Sequence, residues 1–240
     1  IFVEEVNLLR TAGYGFAREV GGSSGLARPL DSAAIEARMQ ARAEAARRSL
    51  QQAMARRGLA QTLKLCRGCV AEEVLNLVQP QDLVVLGRVG WSGIPGARLG
   101  STARVLLRQA PGDVLLWAEP RVQRQNRVVV LLNHDQGANH RAVLVGAELA
   151  RRSHQPLSVL LRTGSEADQS VAEDILAYLQ NEGIAARVRQ IPAASAGAAV
   201  RAMQEEGASQ LVVSRSCSLF ADQGAEALLS ALNLPVTVTP

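Results

Sequence analysis

The residues most able to do chemistry run from Gly87 to Thr102: Gly87-Arg-Val-Gly90-Trp-Ser-Gly-Ile-Pro-Gly-Ala-Arg-Leu-Gly100-Ser101-Thr102. Glycines let a backbone approach a phosphate closely, successive amides can point inward at it, and a helix N-terminus placed next adds unpaired N–H groups and a favourable dipole. That combination predicts an anion cradle. Two other constellations compete with it. Cys66-Arg-Gly-Cys69 has the spacing of a redox pair or of half a zinc site. His134, Asp135 and His140 cluster about one turn. No second cysteine pair stands near Cys66, Cys217 is distant in sequence, and the histidines lack the ordered ligand set a metal needs. These are read as ordinary turn and loop residues. No Ser-His-Asp order, paired catalytic carboxylates or Walker lysine stands out, and no base is placed to activate Ser101.

The elements that must position the loop are clearest in the second half. Arg127-Val-Val-Val-Leu-Leu132 has the length and branching of a buried strand, followed by the turn Asn133 to Gly137. A helix over Asn139 to Arg152 with Ala142, Val145 and Leu149 on one face leads to a strand at Leu157 to Leu161. The alternation continues with a helix at Asp168 to Asn181 ended by Gly183, a strand at Ala186 to Ile191 and a helix at Ala196 to Glu206. A strand at Gln210 to Val213, a helix at Ala225 to Leu232 and a strand at Val236 to Thr239 complete it. Such alternation predicts a parallel sheet covered on both faces.

The first half repeats the later part of this order. Asp31 caps a predicted helix from Ser32 to Arg57, Gln61 to Cys66 is a strand, and Val70 to Val78 a helix before Pro80. Asp82 to Leu86 is a strand, Thr102 to Gln109 a helix and Val114 to Trp117 the last strand. Asp82-Leu-Val-Val and Gln210-Leu-Val-Val fill the same slot in their halves, so an internal repeat is predicted with Ala118 to Asn126 as linker. Ile1 to Glu4 matches the second strand of the other half, with no counterpart of Arg127 to Arg152 ahead of it. A first domain of the same topology would then lack a strand in the middle of its sheet, and the expectation is an N-terminally truncated form. Asn7 to Pro29 shows no clear periodicity and is expected to be either a long excursion over the sheet edge near the binding site or a disordered loop.

Gly87-x2-Gly90-x9-Gly100-Ser101, with the strand before it and the helix after it, resembles the nucleotide-binding signature of the universal stress proteins. Arg104-Val-Leu-Leu-Arg-Gln-Ala-Pro111 followed by Val114-Leu-Leu resembles their closing helix and strand. The resemblance covers nearly the whole chain in element order. It implies an α/β fold of two tandem universal-stress-protein-like (adenine nucleotide α-hydrolase-like) domains, each an open five-stranded, mostly parallel sheet with helices on both faces. The domains are expected at 1–119, with the nucleotide loop, and 120–240, degenerate. By the same resemblance Gly87, Gly90 and Gly100 give backbone room and amides to the phosphates of ATP, with Arg88 in the same loop. Ser101 and Thr102 donate hydroxyls, and Val3 meets the adenine through its backbone; Mg would accompany the nucleotide.

The second half departs from that pattern. Asn133-His134-Asp135 stands where the family has an acidic turn, and Ser214-Arg-Ser-Cys-Ser-Leu-Phe220 lacks the glycine spacing. It is expected not to bind ATP in the family manner and to pair with the first through the last strands, Val114 to Trp117 and Val236 to Thr239; a homodimer is also implied. The function implied is a stress-response module that binds ATP or a related nucleotide, with at most slow hydrolysis. The alternatives are a nucleotide-free dimerisation and interaction module and a thiol redox enzyme acting through Cys66 and Cys69.

Composition excludes other classes. The 240 residues are 48% hydrophobic and 3% aromatic, so the core must be aliphatic. Although the net charge is +4, the 26 basic and 22 acidic residues are interleaved and form no basic face for nucleic acid. Apolar runs such as Leu83 to Leu86 fall far short of the roughly 20 residues that span a bilayer, and no signal-peptide pattern opens the chain. Three cysteines do not make a secreted disulfide framework, and a cytoplasmic protein is expected.

Overall fold

In the computed structural model the described residues are 1–87, 99–118, 126–132, 136–163, 166–192, 196–217, 228–229 and 232–240. They divide into two units, Ile1–Leu77 and Val78–Pro240. In the first unit β1 (Phe2–Glu5) leads into α1 (Val6–Ala12), then β2 (Arg18–Val20), β3 (Ala27–Pro29) and α2 (Ser32–Ala55). The stretch expected to be an unstructured excursion therefore holds a short helix and an antiparallel hairpin. Glu19 stands opposite Arg28 in the hairpin register and pairs with it, a cross-strand contact that local periodicity does not reveal. Asp31 caps α2 as expected, its Oδ1 accepting from the Ala33 N–H at 3.0 Å.

The strand β4 (Leu65–Gly68) pairs in parallel with β1, Phe2 opposite Leu65 and Val3 opposite Cys66. It lies later than the expected Gln61 to Cys66, because pairing with a four-residue partner decides where the ladder forms. Cys69 then caps α3 (Val70–Leu75), which stops short of Val78.

The second unit is built on one sheet. Its first strand β5 (Leu83–Gly87) is followed by α4 (Ser101–Gln109), β6 (Asp113–Trp117) and β7 (Arg127–Leu132). Then come α5 (Gln136–Ser153), β8 (Leu157–Thr163), α6 (Glu166–Asn181), β9 (Ala186–Pro192), α7 (Ala196–Glu205), β10 (Ala208–Ser214) and β11 (Val236–Thr239). A continuous Val and Leu run can only be satisfied with both faces covered, and Val128 to Leu132 are all at most 1% exposed. Val128, Val130 and Leu132 pack with Val159, Leu161, Val143 and Ile175 in one core. Gly183 ends α6 as expected, with φ 63° and the Ile184 N–H bonded back to the Leu179 carbonyl. The helix expected at Ala225 to Leu232 lies mostly outside the described residues.

The sheet order is β5-β6-β11-β10-β7-β8-β9. The five strands of the second half are all parallel, with β7 between β8 and β10. The first half is distributed differently: β1 with β4 form one two-stranded sheet, and β5 with β6 extend the large one. The closing strands meet as expected: β6 and β11 pair antiparallel, Leu116 opposite Val236 and Val114 opposite Val238. The two halves of the chain are thereby joined by main-chain hydrogen bonds inside one molecule.

Candidate functional site

The carboxyl end of β5 is Gly87, opposite Trp117 on β6. The chain next becomes described at Leu99, and Gly100 is the N-cap of α4. Because β5 and β6 run parallel, the connecting helix begins at the carboxyl edge of the sheet, the edge at which open α/β sheets take ligands. Arg88 and Gly90, with the rest of 88–98, lie outside the described residues; Gly87 ends β5, Gly100 is the N-cap of α4, and Ser101 and Thr102 begin its first turn. Val3 sits on β1, in the first unit.

Gly100 has φ −59° and ψ 154°, values open to any residue, and a Cβ placed on it meets nothing within 4 Å. Neither backbone conformation nor packing calls for glycine there. What the missing side chain leaves is a bare approach to the first turn of α4. No side chain caps the helix, and its first N–H groups have no intrahelical acceptor. Ser101 is exposed and Thr102 half-buried, while Ala103, Leu106 and Leu107 are buried on the opposite face and fix the helix. An exposed hydroxyl, unsatisfied amides and the positive end of a dipole suit a phosphate.

The other end of α4 is held by the second half of the chain. Arg215, just past β10, donates from Nη1 to the Arg108 carbonyl at 3.4 Å and from Nη2 to the Gly112 carbonyl at 3.3 Å. Burial lowers its guanidinium from the ordinary value, and the neighbouring Asp113 carboxylate works the other way. Asp113 is itself paired with Arg141 on α5 at 2.9 Å. These residues escaped the sequence reading because their main acceptors are backbone carbonyls, which no side-chain pattern reports.

The remaining polar residues have structural settings. Cys66 lies on β4 and Cys69 at the N-cap of α3, both free and half-buried. His140 packs against Tyr178 with the rings tilted at 59° and their centroids 4.5 Å apart; His134 and Asp135 lie outside the described residues. Among the described residues no three His, Cys, Asp or Glu side chains are grouped to hold a metal. Glu206 is buried against the Ser158 hydroxyl at 3.0 Å and faces Arg189 at 3.5 Å and Arg187 at 3.8 Å. A groove of about 610 Å³ opens at the amino end of β8, lined by Glu148, Arg151, His154 and Glu182 among others. It lies at the carboxyl ends of α5 and α6, where helix carbonyls disfavour an anion. Among the described residues no helix is long and apolar enough to cross a membrane.

The fold is that of an α/β protein, with α4 beginning at the carboxyl edge of its mostly parallel sheet. Residues 19–117 match the model of the Universal stress protein family, a stretch that includes β5, the loop and α4. A universal stress protein from Archaeoglobus fulgidus is similar in structure, with TM-score 0.66 and 17% identity over 85% of this chain and 78% of that one. A functionally unknown protein from Pseudomonas aeruginosa is similar at TM-score 0.59 and 17% identity, over 82% of this chain and 77% of its own. At these identities the likeness is one of fold. None of the curated proteins compared matches the sequence.

Proposed function

We propose that this chain is a stress-response module that binds ATP or a related adenine nucleotide at the loop between β5 and α4, and acts through conformation or partner binding. The observation that carries the reading is Gly100: a glycine that the fold does not require, at an uncapped helix N-terminus on the ligand-binding edge of the sheet. The Gly87, Gly90, Gly100 spacing and the hydroxyls of Ser101 and Thr102 complete the cradle, with Arg88 beside it.

No Asp, Glu or His stands between Gly87 and Thr102. Any Mg is therefore held through the nucleotide's own phosphates, and no base is at hand to activate a water, so hydrolysis is slow at most. Calorimetric titration with ATP, with and without Mg, tests the reading. Saturable binding that is lost when the phosphates are removed, as in adenosine, is expected; absence of heat and of thermal stabilisation by millimolar ATP overturns it.

The alternative, a nucleotide-free dimerisation and interaction module, has to accommodate the pairing of β6 with β11 within the chain. Closing strands used in this way cannot also pair two copies, so a homodimer would use another surface. Ultraviolet absorbance of the denatured, freshly purified protein separates the readings, since co-purified nucleotide contradicts the second.

A further inference from the structure

Two helices of the second unit end with the same pair of backbone hydrogen bonds but with different residues at the critical position. At the end of α6 the Gly183 N–H bonds to the Gln180 carbonyl at 3.1 Å and the Ile184 N–H to the Leu179 carbonyl at 2.8 Å. Gly183 takes the left-handed backbone that this closure needs, with φ 63°. At the end of α5 the His154 N–H bonds to the Arg151 carbonyl at 3.3 Å and the Gln155 N–H to the Ala150 carbonyl at 2.9 Å. The left-handed residue there is His154, with φ 53°. Among the described residues no other non-glycine residue holds a positive φ. A side chain in that region crowds the following carbonyl, as glycine does not. Strain kept where glycine would relieve it points to a use for the side chain.

The imidazole lines the groove of about 610 Å³ at the amino end of β8, a volume within the range of small-molecule sites. Leu144, Ala147, Leu157 and Ile184 give that groove an apolar wall. Its electrostatics favour a cation. The carboxyl ends of α5 and α6 both reach it, and the carbonyls at such ends carry partial negative charge. Glu182, just past α6, adds a full negative charge, and its carboxylate has no ion pair among the described residues. Arg151 also lines the groove, but its guanidinium is bonded to Glu148, which takes Arg152 as well at 2.6 Å. No metal fits, since no three His, Cys, Asp or Glu side chains are grouped to hold one among the described residues.

We propose that this groove is a binding site for an aliphatic di- or polyamine, whose ammonium groups donate to the Glu182 carboxylate and the His154 imidazole while its methylenes lie against Leu144, Leu157 and Ile184. Such a ligand matches an apolar wall flanked by acceptors, and a carboxylate or phosphate of the same length is repelled by the same groups. The site stands apart from the nucleotide reading: β6, β11, β10 and β7 lie between β5 and β8 in the sheet.

The test is a calorimetric titration of the full 240-residue chain with spermidine, without nucleotide, alongside thermal unfolding of each protein. The parent should bind spermidine saturably and leave hexanoate unbound. Glu182→Gln, a change at an exposed residue, should weaken spermidine by about fivefold, the upper end for an exposed charge pair, with the melting temperature in place. His154→Gly should raise the melting temperature by about 2–4 °C through relief of the backbone while weakening spermidine, a combination that a merely structural histidine would not produce. Absence of saturable binding at millimolar spermidine, equal binding of hexanoate, or affinity unchanged in Glu182→Gln would overturn the assignment. Full affinity in a stabilised His154→Gly would overturn it as well, leaving His154 as a tolerated helix end.

Discussion

Gly100→Val separates a ligand role from a folding role for the loop. The backbone at Gly100 lies in a region open to branched residues, and a Cβ there meets nothing within 4 Å, so the substitution introduces no clash. Valine is a poorer N-cap than glycine by a few tenths of a kcal/mol to about 1 kcal/mol, but it restricts the unfolded chain by about 0.4–1 kcal/mol. These effects nearly cancel, and the melting temperature should stay within about 3 °C of the parent. For the nucleotide the outcome differs. Two branched methyls at the mouth of the first turn of α4 keep a phosphate oxygen from reaching its amides. Loss of one hydrogen bond to a charged oxygen is worth about 1.5–3 kcal/mol, a rise in Kd of about 10- to 150-fold. Calorimetry with ATP on both proteins, alongside thermal unfolding, reads the two quantities independently. An unchanged Kd would refute the assignment of Gly100 to the phosphates, and a large fall in melting temperature would refute the claim that the fold does not need this glycine.

Gly112→Ala should destabilise by about 1–3 kcal/mol in urea unfolding, because its Cβ would overlap the backbone carbonyls of Asp82 and Gln79, which cannot move aside as a side chain could. Glu206→Ala leaves the buried Ser158 hydroxyl without its acceptor and should cost about 2 kcal/mol. The loss is held to that size because Arg187 and Arg189 are 62% and 34% exposed and can turn to water. The Glu19 carboxyl is held below its ordinary value of 4.5 by its hydrogen bond from Arg28, with Arg38 adding to it. A depressed folded-state value means that this contribution is whole above the ordinary value and is lost as pH falls through the folded one. In an NMR titration the Glu19 midpoint should therefore lie lower in the parent than in Arg28→Ala, and equal midpoints would count against the pairing. Amide exchange should be faster across Ile1–Leu77 than across Val78–Pro240. Among the described residues the first unit buries only Ala12, Ile35, Ala43, Ala71 and Val74 as apolar core.

The parts of the fold legible in the sequence are those whose cause is local. The Val128 to Leu132 run could only be a buried strand, Asp31 could cap what followed, and Gly183 could end α6. What escaped has its cause elsewhere in the chain. The hairpin of β2 and β3 is fixed by Glu19 across from Arg28, and β4 begins at Leu65 because Phe2 is its partner. The glycine spacing of the candidate site could be read because it is contiguous in the chain; Gly90 lies outside the described residues, and the backbone at Gly100 does not call for glycine. The role of Arg215 could not, since the carbonyls it holds belong to residues 107 and 103 positions away.

That arginine also bears on why the second half keeps a place beside a site it does not form. Its own strand end reads Ser214-Arg-Ser-Cys217, without glycine, so the backbone has no room there for a phosphate in the manner of Gly100. Instead the guanidinium stands at the last turn of α4, bonded to a carbonyl that the helix leaves unpaired, and its charge opposes the negative end of the dipole. Together with the β6 to β11 ladder, this fixes α4 at its carboxyl end, while its amino end has no side-chain cap among the described residues. On the function proposed above, the second half would act as a support, setting the direction in which the first turn of α4 points. An α4 held from one end only by packing of Ala103, Leu106 and Leu107 would present the same amides less rigidly, and a phosphate would have to order them on binding.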